Sequence, residues 1–134
     1  MNTRSLLTAT LALLLATSVL LAHHSVTAVF DTSKKIKLSG ELTEVDWVNP
    51  HIFLHLKMMK GNAVEQWKVE GGPPAWYRRV GASSGTFTKR IGETVIIDGL
   101  PAKDGSLYGY LQKITFADGD SLESTSAAEA SQTK

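Results

Sequence analysis

The chain has 134 residues, with 14 lysines and arginines against 13 aspartates and glutamates, four histidines and no cysteine. This near-neutral balance excludes the strong positive field with which proteins attract nucleic acid or anionic membranes. The absence of cysteine excludes disulfide bonds, thiol nucleophiles and thiolate metal sites, so the stability of the fold must come from its core.

The N-terminus has the order of a secretory signal peptide, in which one positive charge at Arg4 precedes an uncharged stretch over residues 6–22. That stretch has 17 residues and is interrupted by threonines and serines. An apolar helix needs about 20 residues to span a bilayer. We therefore predict that residues 1–22 are removed on export and that no membrane anchor remains.

The cleavage position decides how the mature chain begins. Small residues flank such sites, and cleavage after Ser18 or after Ala28 is an alternative to cleavage after Ala22. Cleavage after Ala22 leaves 112 residues with 13 basic and 13 acidic side chains, which is enough chain for one domain.

Alternation of apolar and polar residues predicts a first strand over residues 35–48. The apolar residues occupy even positions up to Leu42 and odd positions from Val45 onward. We therefore expect a bulge or bend near Thr43. The Asn49-Pro50 pair ends the strand.

Four more strands follow from the same alternation and from turn residues, over residues 51–59, 64–69, 94–97 and about 108–116. Two prolines before Ala75 predict a short helix over residues 75–80, because proline is tolerated in the first turn of a helix. Residues 82–90 are rich in serine, glycine and threonine and are predicted to form a loop.

This order predicts a mainly β fold: a small five-stranded antiparallel barrel of the oligonucleotide/oligosaccharide-binding (OB) type, with one short helix between strands 3 and 4. The alternative is an open antiparallel sheet with the helix on one face. We assign residues 23–34 to an N-terminal arm, residues 35–118 to the barrel, and residues 119–134 to a disordered tail with too few apolar residues to pack.

Several short segments of the chain occur together in a recognisable order: His23-His24-Ser25, Phe30-Asp31, Gly40-Glu41-Leu42, Trp47-Val48-Asn49-Pro50-His51, Arg78-Arg79, Gly92-Glu93-Thr94-Val95 and Ala102-Lys103-Asp104-Gly105-Ser106. The combination resembles a family of small exported bacterial proteins known as domain of unknown function 6152. The resemblance covers residue 23 to about residue 119. It implies a single domain in the bacterial envelope, periplasmic or secreted, and it implies no activity.

All four histidines lie in the first half of the chain. If signal cleavage frees His23, its α-amino group and its imidazole can chelate one metal ion, with His24 and one more histidine completing the site. Nitrogen donors of this kind suit Cu(II), and Zn(II) less distinctively. On a strand that rises about 3.3 Å per residue, His51 and His55 lie about 13 Å apart, so at most one of them joins. We favour His51, because it stands at a strand end beside a loop.

Metal-binding histidines are usually oriented by a carboxylate, and Asp31 and Asp46 are the candidates by proximity in sequence. The competing interpretation needs no metal. In it the N-terminal pair is solvated, His51 holds the preceding turn through a hydrogen bond, and His55 faces solvent.

The outward face of the second strand is a further candidate site, where Phe53, His55 and Lys57 would contact a ligand or an envelope protein. The aromatic set could also offer a stacking surface for a sugar or a single-stranded polymer. Tryptophans, however, more often lie in or beside the core. The set comprises Trp47, Phe53, Trp67, Trp76 and Tyr77.

No catalytic motif is present: the chain lacks a nucleophile elbow, a close carboxylate pair and metalloprotease spacing of histidine and glutamate. We therefore predict a non-enzymatic periplasmic binding module with a copper or zinc site built from His23, His24 and His51. The alternative is a structural or protein-interaction domain of the envelope, in which the histidines bind no metal.

Overall fold

The computed structural model of the chain describes residues 26–124. The predicted signal peptide and the His23-His24 pair lie outside the described residues. The strands are β1 (Ile36–Asp46), β2 (Phe53–Lys60), β3 (Ala63–Glu70), β4 (Thr94–Pro101), β5 (Tyr108–Thr115) and β6 (Ser121–Glu123), and the helices are α1 (Val26–Val29), α2 (Pro74–Arg79) and α3 (Ser84–Thr88). Within residues 26–124, no helix is long and apolar enough to cross a membrane.

The strands form one sheet in the order β3-β2-β1-β4-β5-β6, and β3 also pairs with β5. This extra pairing closes the first five strands into a barrel with OB-like connections, so the predicted fold is confirmed and the open-sheet alternative is wrong. The prediction of a purely antiparallel barrel needs one correction, because β3 and β5 run parallel. A closed ring with an odd number of strands cannot alternate direction throughout, so one pair must be parallel.

The long first strand serves two neighbours. Its first half pairs with β4 and its second half pairs with β2. The register with β2 shifts between Leu42 and Glu44, which confirms the bulge expected near Thr43. The shift increases the local twist of the strand and lets it curve around the barrel.

The main core fills the barrel, and alternate residues from Ile52 along β2 contribute to it. Ile52 and Leu54 are fully buried there, together with Leu42, Val69, Val95, Ile97, Leu111 and Ile114. A smaller cluster lies outside the barrel, where Phe30 packs with Leu100, Ala102 and Tyr110. This second cluster joins the N-terminal arm to β4 and β5.

Two short helices cover one end of the barrel. The helix predicted over residues 75–80 is confirmed as α2, but the loop predicted over residues 82–90 is wrong, because α3 lies within it. The Ser83 N–H donates a hydrogen bond to Thr86 Oγ1 over 2.9 Å, which fixes the first turn of α3. The fully buried ring of Phe87 holds the helix against the core.

The ordered chain extends further than the sequence predicts. Residues 119–134 were assigned to a disordered tail, yet β6 (Ser121–Glu123) pairs with the end of β5 and Ser124 is fully buried. Leu122 packs against the core, and this single apolar contact within a polar segment explains the difference. The prediction for residues 125–134 lies outside the described residues.

Candidate functional site

The two histidines within the described residues each contact a carboxylate from a neighbouring strand. His51 lies two residues before β2, and its Nδ1 lies 2.5 Å from Glu70 Oε1 at the end of β3. His55 lies within β2, and its Nε2 lies 2.9 Å from Asp46 Oδ2 at the end of β1. Both imidazoles are therefore oriented, and by different acids.

Strand register brings these groups together. Phe53 pairs with Glu70 on one side and with Asp46 on the other. His51 and His55 stand two residues before and after Phe53, on the same face of the strand. Each ring therefore reaches diagonally to one of the two acids, which is a usual distance for long side chains across a sheet.

Glu70 has a second partner on the strand that closes the barrel. The Tyr108 hydroxyl at the start of β5 donates a short hydrogen bond to Glu70 Oε2. Burial, together with the neighbouring carboxylate, raises the pKa of Tyr108 well above its ordinary value. The phenol therefore keeps its proton at neutral pH, and Glu70 accepts a hydrogen bond from Tyr108 while its other oxygen lies in close contact with Nδ1 of His51.

This arrangement defines the chemistry available at His51. A neutral imidazole carries one N–H, and the Glu70 carboxylate, whose Oε1 lies 2.5 Å from Nδ1, favours the tautomer with the proton on Nδ1. Nε2 then holds the lone pair that a metal ion or a hydrogen-bond donor needs. The His51 side chain is 39% exposed and that of Glu70 is 16% exposed, so the imidazole can be approached while the acid behind it is shielded.

The N-terminal arm is attached beside this network. The rings of Phe30 and Tyr108 lie 5.1 Å apart between centroids. Backbone hydrogen bonds join the same segment to the end of β4: the Asp31 N–H donates to the Pro101 carbonyl over 2.9 Å, and the Lys103 N–H donates to the Val29 carbonyl over 3.0 Å. The arm therefore ends in a fixed contact with the residue that binds Glu70.

The structure places the predicted metal ligands unevenly. His51 is at the network just described, and His23 and His24 lie outside the described residues. Among residues 26–124, no group of three or more histidines and acids is arranged to hold a metal ion. A complete site at His51 would therefore need donors from outside the described part of the chain.

Neither acid proposed from the sequence orients His51. Asp31 accepts a hydrogen bond from the Ser33 hydroxyl and pairs with Lys34, and these contacts lower its pKa. Asp46 orients His55 instead. The acid beside His51 is Glu70. The sequence carried a signal for this position, because a β2–β3 hairpin with its turn at Gly61-Asn62 places residue 70 opposite Phe53.

The three residues predicted to contact a partner all have contacts within the sheet. The Lys68 amine lies 4.1 Å from the centroid of the Phe53 ring, as a cation–π contact. Lys57 pairs with Glu41 over 3.8 Å, and His55 binds Asp46. The outward face of β2 is thus a row of matched charges with one aromatic ring, and not an apolar patch.

Four of the five aromatic residues proposed for a stacking surface pack in or against the core instead: Trp47, Trp67, Trp76 and Tyr77. The hydroxyl of the fully buried Tyr77 accepts a hydrogen bond from the Gly72 N–H over 3.2 Å, and burial raises its pKa to about 12. Phe53 alone among the five belongs to the outward face.

Arg90, which lies within the segment predicted to form a loop, is the centre of an ionic cluster that the sequence does not predict. The guanidinium is nearly buried and lies 2.7 Å from Asp118 and 3.3 Å from Asp120. It also lies over the ring of Phe116, 4.3 Å from the centroid. The hydrogen bond from Arg90 lowers the pKa of Asp118. This cluster ties the turn before β6 to the start of β4, so its role is structural.

A cavity of about 230 Å³ lies between α1 and the barrel, lined by Val26, Thr27, Thr32, Lys35, Leu100, Tyr110 and Gln112. The Lys35 amine donates to Gln112 Oε1 over 2.7 Å. None of the lining residues belongs to the His51 network, so the cavity and the candidate site are separate features.

Comparison with known proteins adds one finding. A search of curated proteins gives no match. The profile of a family described as a family of unknown function, DUF6152, matches residues 12–112. That segment is more than half of the chain and includes both the histidine pair and the residues of the His51 network, so this chain belongs to the DUF6152 family.

Proposed function

We propose that this chain is an exported, non-enzymatic binding module that holds a copper or zinc ion through His51 and the N-terminal pair His23 and His24. The observation that carries the proposal is the 2.5 Å contact between Nδ1 of His51 and the Glu70 carboxylate. Metal-binding histidines usually donate their second ring N–H to a carboxylate or carbonyl, which sets the tautomer and makes the free nitrogen a better ligand.

The position of the arm supports the rest of the ligand set. Residues 23–25 precede Val26, which packs in the same cluster as Phe30 and Tyr108. Extended chain spans at most about 3.6 Å per residue, so three residues reach about 10 Å from that anchor. The proposal therefore requires the N-terminal donors to meet His51 within that reach.

The choice of copper or zinc follows from the donor atoms. Two or three imidazoles and an α-amino group are nitrogen ligands, which suit Cu(II) and Zn(II) better than Mg²⁺ or Ca²⁺. Each donor must lose its proton to bind, so affinity falls in acid. Signal cleavage after Ala22 is part of the proposal, because it supplies the amino group of His23.

The alternative, an envelope interaction through Phe53, His55 and Lys57, has less support. A partner on this face would have to cover the Lys57–Glu41 and His55–Asp46 pairs. Covering an ion pair costs free energy that its Coulomb attraction often fails to repay. We therefore favour the metal-binding module over the envelope-interaction domain.

Titration of the mature chain, beginning at His23, with Cu(II) and Zn(II) tests the proposal. We expect His51→Ala to weaken binding by about 10-fold or more, and one extra alanine before His23 to weaken it as well. His55→Ala is the matched control, because it removes a carboxylate-bound histidine from the same strand, and it should bind like the wild type. Binding by the wild type no tighter than by an unrelated peptide would overturn the proposal.

A further inference from the structure

We infer that Tyr108 is a positioning residue for His51, which acts through Glu70 and determines which imidazole nitrogen is free to bind a ligand. The metal-binding part of this inference rests on the proposed function. The positioning part rests on the contacts of Tyr108, Glu70 and His51 alone.

The first step concerns the carboxylate. A glutamate side chain at the end of a strand has several rotamers, and a single hydrogen bond leaves its carboxylate plane free to turn. The Tyr108 hydroxyl donates a hydrogen bond to Glu70 Oε2, and Nδ1 of His51 lies 2.5 Å from Glu70 Oε1. Two partners on opposite oxygens fix the plane and direct Oε1 at the imidazole.

The second step concerns the proton of the imidazole. An ionised carboxylate only accepts hydrogen bonds, so Glu70 favours the tautomer with the proton on Nδ1. The other neutral tautomer would place the Nδ1 lone pair against a carboxylate oxygen 2.5 Å away. Because Tyr108 holds Glu70 in place, it indirectly keeps the Nε2 lone pair of His51 available.

The third step links the network to the arm. Tyr108 and Tyr110 both pack against Phe30. Their ring centroids lie 5.1 Å and 5.3 Å, respectively, from the centroid of the Phe30 ring. The Tyr108 hydroxyl also binds Glu70. Tyr108 therefore contacts the arm through its ring and positions His51 through its hydroxyl, so both halves of the proposed site meet at one side chain.

Tyr108→Phe tests the positioning directly, because it keeps the ring against Phe30 and removes only the hydroxyl. Tyr110→Phe is the comparison variant, since it removes a hydroxyl from the other tyrosine that packs against Phe30. The readout is the ¹⁵N spectrum of the His51 imidazole in the metal-free mature chain at neutral pH, with the melting temperature recorded to show that each variant is folded.

We expect the wild type and Tyr110→Phe to show one tautomer, protonated at Nδ1, and Tyr108→Phe to show a mixture of the two. An unchanged tautomer in folded Tyr108→Phe overturns the positioning role, whether or not the protein binds metal.

Cu(II) titration of the same three proteins then tests the link to the proposed function. We expect Tyr108→Phe to lower affinity about 10-fold, as loss of outer hydrogen-bond partners does at metal sites, and Tyr110→Phe to leave it unchanged. A wild type that shows the single tautomer but binds no copper overturns the proposed function and supports positioning. Equal copper affinity in wild type and Tyr108→Phe overturns the role of Tyr108 in metal binding.

Discussion

His51 and His55 each contact an acidic residue that belongs to a neighbouring strand. Periodicity correctly predicted that His51 and His55 share the outward face with Phe53, because alternation along a strand is a local property. Proximity in sequence offered Asp31 and Asp46 as candidate acids and did not identify the one beside His51, because pairing between strands is not local. Glu70 follows from the β2–β3 hairpin register, whereas Tyr108 reaches the site only through the parallel β3–β5 pair that closes the barrel.

Phe30 is the residue on which attachment of the arm depends. Its ring is 2% exposed and contacts both Tyr108 and Tyr110. We expect Phe30→Ala to lower the free energy of unfolding by about 3–5 kcal/mol, the usual cost of removing a buried phenyl ring. Urea unfolding followed by circular dichroism measures the change.

The half-buried Phe53 provides the comparison for that variant. Phe53→Ala should cost clearly less, because much of the ring is already hydrated and little cavity forms. If Phe30→Ala were no more destabilising than Phe53→Ala, the arm would not be an integral part of the folded domain.

Among the secondary-structure elements, those with a local signal were predicted and those without one were missed. The change of phase along β1 revealed the bulge near Thr43, and the tandem prolines marked the start of α2. Helix α3 was missed because its serine, glycine and threonine residues are typical of loops, and burial of Phe87 outweighs their weak helix propensity. Strand β6 was missed because Leu122 is its only large apolar residue.

The turn that precedes β6 is held by charge, so its attachment should depend on pH. Arg90 lowers the pKa of Asp118 below the ordinary value of 3.8. A lowered carboxyl pKa stabilises the folded state fully above the unfolded value, and the contribution is lost as the pH falls through the folded value. Acid should therefore weaken the contact between this turn and the start of β4.

We expect the melting temperature of the wild type to fall more steeply than that of Asp118→Asn between pH 5 and about pH 2. Asp98→Asn is the control, because Asp98 makes only a long, exposed contact of 3.9 Å with Lys37. Parallel curves for the wild type and Asp118→Asn would show that the Arg90 cluster does not hold the turn. Melting curves followed by circular dichroism at each pH supply the data.

At the scale of the whole molecule, the barrel and the family were both accessible from the sequence. Five alternating segments with one intervening helix predict an OB-like barrel, and the short motifs along the chain predict the DUF6152 family. The closing strand pair is parallel because five strands form an odd ring, which is a property of the assembled barrel and of no single segment. The site depends on that closure, since it brings β5 and the arm beside β3.

The proposed function requires His51 and the N-terminal histidines to bind one metal ion. Electron paramagnetic resonance of the mature chain loaded with one equivalent of Cu(II) tests it most directly, because the hyperfine pattern reports the nitrogen atoms bound to copper. We expect a site with several nitrogen ligands in the wild type that loses one nitrogen in His51→Ala and is unchanged in His55→Ala. Identical spectra for the wild type and His51→Ala would contradict it.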